Sequence, residues 1–322
     1  MILATRWIFA ACAVLSIFSA AVAEAKYPER TVTIVVAAPP GNANDELARR
    51  LATKMSERFK QSVIVENKPG AGTTLGAAYV ARSKPDGYTL LVTSISLTTT
   101  GASFKNPGFD VDRDFHPLGM LGVAPMAVVT NNNIPAKTLN EFVAYAKANP
   151  GKLNFGSAGS GSVMHINGEL LGLKAGINMM HIPYQGGAPS TAALLANQIQ
   201  LLVIDVASVL PLVQAGKLRA LAVGTPARIK SLPDVPTTVE AGMDLEAVAW
   251  YGFFAPRGTP DEVLRELEQQ LAEFVSDPAY RREMDGRGWQ TPQMKSGEMK
   301  ARLSAEVAKW REVVKSANID LQ

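Results

Sequence analysis

Residues 31–55 read TVTIVVAAPPGNANDELARRLATKM, and this stretch decides the fold. Its first seven residues, 31–37, form an apolar, β-branched run of the length and composition of a buried strand. Pro39-Pro40-Gly41-Asn42-Ala43-Asn44 has turn chemistry. From Asp45 onward Leu47, Leu51 and Met55 recur at helical spacing, which predicts a helix over 45–58. The pattern then repeats, with a strand at 62–67 broken by Pro69-Gly70, a helix at 75–82, a Pro85-Asp86-Gly87 turn and a strand at 88–93. Three strands joined by two helices require right-handed crossovers and a parallel sheet.

A second series follows. Strands are expected at 126–130, 153–156, 179–183, 201–206 and 218–223, and helices at 138–147, 164–174, 188–197 and 209–215. A strand-like segment at 250–255 precedes helices near 260–276, 279–287 and 296–317. Two such series with no Pro/Gly/Ser-rich linker predict an α/β protein of two lobes facing each other across a cleft, the chain crossing between them on strands. The expected division is 24–124 with 250–322 for one lobe and 125–249 for the other.

At the N-terminus Arg6 precedes an apolar run over 7–23 that ends in Ala21-Val22-Ala23 or Ala23-Glu24-Ala25. A positive start, a short apolar core and an A-x-A end read as a cleaved secretory signal peptide over 1–23. A membrane anchor would want a longer run and a basic stop-transfer flank, and the residues before Cys12 fit a lipobox poorly. Cleavage removes the single cysteine, which leaves a chain without thiolate chemistry or disulfides. It also removes Arg6 and so lowers the net charge from +3 to +2, a balance that argues against a nucleic-acid partner. The expected protein is soluble, periplasmic and monomeric.

Two strand-to-helix turns carry the functional signal: residues 37–45 and residues 156–165, the latter reading GSAGSGSVMH. Small residues there let a ligand reach the backbone, and the first N–H groups of the following helix have no internal partner. With the helix dipole, such a turn holds a carboxylate without a cation. The candidate ligand residues are Pro40, Gly41, Asn42, Ala43 and Asn44 in the first turn, and Ser157, Gly159, Gly161, Ser162 and His165 in the second, with Ser160 a further donor. Ser94 and Ser96, after the third strand, and Asp205, ending the run LLVID, stand at the same carboxyl edge of the sheet. Each has a structural alternative: Asn44, Asp45, Ser162 or Asp205 as a helix cap, His165 as a packing or loop-bonding residue, Ser94 and Ser96 as solvated loop.

Enzyme signatures are weak. The second turn is not followed by Gly-Lys-Ser/Thr, Met164 stands where GxGxxG requires glycine, and no G-x-S-x-G occurs there. His116, His165 and His181 lack metal-ligand spacing, so no metal or cofactor is expected. A hydrolase using Ser157 or Ser162 with His165 and Asp205 is the remaining catalytic arrangement. An extracytoplasmic sensor of a two-component system is the non-catalytic alternative to a transport receptor.

Across essentially the whole mature length the chain resembles the Bug-type solute receptors of tripartite tricarboxylate transporters. The resemblance runs through Tyr27-Pro28, the Pro-Pro-Gly turn with Asp45, VENKPGAG from Val65, KPDGYTLL from Lys84, AKANPGKL from Ala146 and the turn ending at His165. It continues through HIPYQG from His181, AGKLRALA from Ala215, LPDVPT from Leu232 and EAG from Glu240. It implies a periplasmic-binding-protein (Venus-flytrap) fold that closes on a carboxylate held by the two turns, and two integral-membrane partners, one small and one large. The family pattern usually carries an aromatic residue where this chain has Ala38 and a glycine where it has Asn42. That difference leads to the expectation of a bulkier ligand, such as an aromatic or long-chain dicarboxylate.

Overall fold

The computed structural model describes residues 27–70 and 73–316; the signal-peptide reading and Cys12 lie outside them. Strand β1 (Val32–Val36) is followed by α1 (Ala43–Phe59), β2 (Val63–Asn67), α2 (Thr74–Ala81) and β3 (Thr89–Ser94). As expected from the repeat of strand and helix, β1 pairs in parallel with both β2 and β3. Next come α3 (Ser96–Ser103), α4 (Val111–Asp114) and the long strand β4 (Phe115–Asn131).

The second series is α5 (Leu139–Ala148), β5 (Asn154–Ser157), α6 (Val163–Ala175), β6 (Met180–Pro183), α7 (Gly187–Leu195), β7 (Leu201–Asp205), α8 (Val206–Gln214) and β8 (Leu218–Val223). Strand β9 (Val248–Pro256) then leads to α9 (Asp261–Ser276), α10 (Pro278–Gly286) and α11 (Ser296–Ser316). The strand order is β2-β1-β3-β9-β4-β7-β5-β6, with β8 also on β4. Among the described residues no helix is long and apolar enough to cross a membrane.

Strand β4 joins the two halves. From Phe115 to Pro125 it runs antiparallel to β9, and from Met126 onward it pairs with β7 and β8. Sequence periodicity places only 126–130 in a strand, whereas β4 begins eleven residues earlier, at Phe115. Pro117, Gly119, Gly122 and Pro125 obscure its first part, and the register against β9 shifts at Pro117/Gly119 and Met120/Gly122. Helix α3 (SLTTTGAS) also replaces the loop expected after Ser94. Its β-branched threonines are poor helix formers; their hydroxyls, on Thr98, Thr99 and Thr100, turn back onto the carbonyls of Ile95 and Ser96.

Side-chain alternation along β1 sets two apolar layers. Val32, Ile34 and Val36 face Leu47, Leu51 and Met55 of α1 and Leu267, Leu271 and Phe274 of α9. Val35 faces the other way, into a layer shared with Ala77 and Val80 of α2 and Leu303, Val307 and Trp310 of α11. That layer continues into Val128, Leu202 and Ile204 of the second half. The carboxyl ends of β1 and β3 in the first half and of β5 in the second thus approach one another from opposite sides, and each strand feeds a helix there.

Candidate functional site

The first turn is fixed by its own helix. Gly41, at φ +82°, donates its N–H to Asp45 Oδ2 at 2.9 Å. Asn42 is the N-cap of α1 and accepts from Asp45 N at 3.0 Å. Asp45 is 4 % exposed, and its carboxylate also accepts from Arg49 Nε at 3.0 Å and Asn67 Nδ2 at 2.9 Å. Burial alone would raise its pKa, but the bonds from Arg49, Gly41 and Asn67 outweigh burial and hold it below the usual carboxylate range. Ala43 and Asn44 come next, and their N–H groups stand in the first turn of α1, where no helical carbonyl is available.

The second turn repeats this plan with different chemistry. Gly161, at φ +76°, donates its N–H to His165 Nδ1 at 3.0 Å. Ser162 is the N-cap of α6 and accepts from His165 N at 3.3 Å. Because Nδ1 accepts, the His165 proton sits on Nε2, 3.5 Å from Glu169 Oε1. Beneath the turn, fully buried Ser157 bonds through Oγ to Gly159 N at 3.0 Å and to His181 Nε2 at 2.6 Å. The His165 and His181 rings stack at 3.7 Å, with Phe155 5.0 Å from His181 and 6.2 Å from His165. Burial, and then the neighbouring His165, push the His181 pKa down from 6.5 to about 4.

Both turns open onto one cavity of about 580 Å³, a size typical of small-ligand sites. The first turn lines it with Ala37, Ala38, Pro39, Asn42, Ala43 and Asn44, and the second with residues from Ala158 to Val163. Two further helix starts reach the same space. Pro69, Gly70 and Thr73 lead into α2, and Ser94, Ile95 and Ser96 lead into α3. Phe104, Thr100, Ala249 and Tyr251 complete the wall. Among the described residues this lining contains no Lys, Arg, His, Asp or Glu.

Of the residues expected to meet a ligand, the structure brings together Asn42, Ala43, Asn44, Ser94, Ser96, Gly159, Gly161 and Ser162. Pro40, Gly41, Ser157, His165 and Asp205 stand outside the lining. Gly41, Ser157 and His165 are engaged in holding the turns, as described. Asp205 Oδ1 caps α8 by accepting from Ser208 N at 3.3 Å, and burial raises its pKa. The hydrolase arrangement is not assembled: Ser157 bonds to His181 rather than His165, and Ser162 accepts from the His165 backbone. Thr73, Phe104 and Tyr251 escape sequence reasoning because only the tertiary fold brings them to the turns. His181, which opens the HIPYQG stretch but is not among the residues expected at the site, supports the second turn through Ser157.

Comparison with known proteins bears on the fold and the family. The family model described as "Tripartite tricarboxylate transporter family receptor" (TctC) matches residues 47–319. A UPF0065 protein of Bordetella pertussis is 38% identical over 256 residues, 79% of each chain. A solved Rhodopseudomonas palustris protein with adipate superimposes with a TM-score of 0.77 at 30% identity, over 91% of this chain and 99% of its own. MatC from the same organism, with bound malate, gives a TM-score of 0.75 at 31% identity over 89% of this chain and 100% of its own. A cavity ringed by helix N-termini, in a periplasmic-binding-protein fold shared over nine-tenths of the chain, thus coincides with a family match over most of its length: the chain belongs to the receptor family of the tripartite tricarboxylate transporters.

Proposed function

We propose that the protein captures a small organic carboxylate in the periplasm and delivers it to the small and large integral-membrane subunits of a tripartite transporter. One observation carries this reading: four helix starts, those of α1, α2, α3 and α6, face one cavity that, among the described residues, offers no cationic side chain. Free N–H groups and converging helix dipoles are a complete anion site on their own. Adipate and malate, seen in two relatives, are acids that such a site accommodates.

The lobes of this receptor are 24–124 with 250–322 and 125–249, a division supported by the change of partners in β4 between Pro125 and Met126. Residues 1–23 act as the export signal. A carboxylate that touches both turns does so only in a closed form, so it shifts the population toward closure. The receptor acts as a monomer. Ala38, 5 % exposed in the wall, leaves room for an aromatic or long-chain dicarboxylate.

A thermal-shift screen of mono-, di- and tricarboxylates against neutral amides and sugars of equal size tests the reading, with small-angle scattering of any stabilised complex. The expected result is stabilisation by one or more acids and a smaller radius of gyration. Stabilisation by the neutral compounds alone would overturn it.

A further inference from the structure

Glu306 of α11 is 7 % exposed and lies outside the lining of the ligand cavity. Its carboxyl group accepts from Trp250 Nε1 at 2.9 and 3.0 Å and from Arg302 Nε at 2.8 Å. Thr98 Oγ1 stands 3.0 Å from Glu306 Oε2 and 2.9 Å from Ile95 O, so its one proton serves a single acceptor at a time. Trp250 belongs to β9, Thr98 to the first turn of α3 and Arg302 to α11 itself. A buried carboxyl group is costly unless donors surround it, and here three elements supply them.

Two of those elements build a wall of the ligand cavity. Ser94 pairs with Tyr251 across β3 and β9, and Ile95 donates its N–H to Trp250 O at 3.0 Å. Ser94, Ile95, Ser96, Thr100, Ala249 and Tyr251 all line the cavity. Ile95 also lines a second cavity of about 170 Å³ whose wall includes Glu306 and Arg302. One residue is thus common to the ligand space and to the surroundings of the buried carboxyl group.

The same group is tied to the other half of the molecule. Arg302 Nη2 donates to Glu246 Oε1 at 3.0 Å, and Lys309 Nζ donates to Glu246 O at 3.5 Å. Ala247, next in the chain, bonds to Gly224 and Met126 at 2.9 and 3.2 Å. An unbroken series of bonds therefore runs from α3 through Thr98, Glu306, Arg302 and Glu246 into the second half.

We propose that Glu306 and Arg302 are positioning residues for ligand capture: they hold the wall made by α3 and β9 and couple it to the orientation of the second half. Neither lines the ligand cavity, so both act through Ile95, Ser96 and Tyr251. The proposal rests on the lobe division and the carboxylate reading above. Its geometry makes Gln a working substitute at position 306. The amide oxygen keeps Trp250 and Arg302, while the amide nitrogen donates to Thr98, which then donates to Ile95 O. Met at the same position keeps the length and removes every acceptor.

The test combines hydrogen exchange of the unliganded mature protein with calorimetric titration of succinate, malate, adipate and citrate. Thr98→Val and Glu246→Ala cut the series at two points. Each is expected to raise exchange across α3 and β9, leave α5 and α9 unchanged, and weaken any acid that binds by about threefold or more. Their combination should fall short of the product of the two effects, because both interrupt one series. Glu306→Met is expected to weaken binding by about tenfold or more, and Glu306→Gln to stay within about twofold of wild type. Where Glu306→Met does not fold, Thr98→Val and Glu246→Ala carry the test. Unchanged exchange across α3 and β9 in both of these variants overturns the proposal, and so do effects that multiply independently. Absence of binding by all four acids overturns the carboxylate reading instead, and the exchange cycle then decides the positioning role by itself.

Discussion

At the first turn the N–H of Gly41 is held by the Asp45 carboxylate, four residues on; at the second the N–H of Gly161 is held by the His165 imidazole, also four residues on. Each acceptor sends its own backbone N–H to the intervening cap, Asn42 or Ser162. The spacing is identical, Gly-cap-x-x-acceptor, and so is the result, a rigid glycine turn feeding a helix N-terminus toward the cavity. What differs is charge. Asp45 is an anion embedded in bonds from Arg49 and Asn67, while His165 is a neutral ring stacked on His181. One backbone geometry has two electrostatic supports, and the supports should fail under different conditions.

Removing the two acceptors should therefore have unequal effects. Asp45→Ala strips the partner from Gly41 N–H, Asn67 Nδ2 and Arg49 at once, inside a buried pocket. Losing several such bonds, one of them charge-assisted, is expected to cost about 2–4 kcal/mol of stability. Carboxylate affinity should fall by about two orders of magnitude or more as the turn relaxes. His165→Ala removes one neutral acceptor and part of a stack, for about 1–2 kcal/mol. Urea unfolding and calorimetric titration of the two variants provide the check. A larger loss for His165→Ala would break the comparison.

Sequence periodicity is enough for the first three strands because VTIVV, VIVEN and TLLVTS are short runs rich in β-branched and apolar residues between clear turns. It fails for the start of β4, where Pro117, Gly119 and Gly122 are accommodated by register shifts against β9. It fails again for α3, whose threonines satisfy themselves on the helix backbone. The candidate site divides in the same way. Both turns are visible because small residues before a helix start are a local signal. The role of Gly41 is not, since a bond from glycine to the fourth residue on depends on which rotamer the acceptor adopts; for His165 the loop-bonding alternative is the one found, with Gly161 N–H as the donor. Thr73 and Tyr251 enter the cavity from segments far apart in the chain, and no local pattern announces that meeting.

Acid should loosen the second turn before the first. His181 has its folded pKa depressed from 6.5 to about 4, so on acidification the unfolded chain takes up the proton first. Its contribution is therefore complete above pH 6.5 and is lost progressively as the pH falls toward 4. Asp45 is also depressed, below 3.8, so its contribution persists above that value and is lost only as the pH drops further. Melting temperature and ligand affinity are expected to decline between pH 6.5 and 4, and His181→Gln should flatten that decline while leaving the Asp45 network intact. An unchanged slope in His181→Gln would assign the acid response to another group.

The smallest effect separates the caps from the acceptors. Asn42→Gly and Ser162→Gly each delete a side-chain bond at a helix start, yet glycine replaces a good N-cap at a cost of only a few tenths of a kcal/mol. Both caps sit at extended backbone angles that glycine adopts readily, φ −87° and φ −66°. The two variants should therefore match each other within about 0.5 kcal/mol in urea unfolding, in contrast to the unequal acceptor variants. Asn42 lines the cavity, so Asn42→Gly also enlarges the wall beside Ala38 and should favour longer acids without weakening the turn. If Asn42→Gly proves as damaging as Asp45→Ala, the cap rather than the carboxylate holds the first turn, and its likeness to the second becomes one of shape alone.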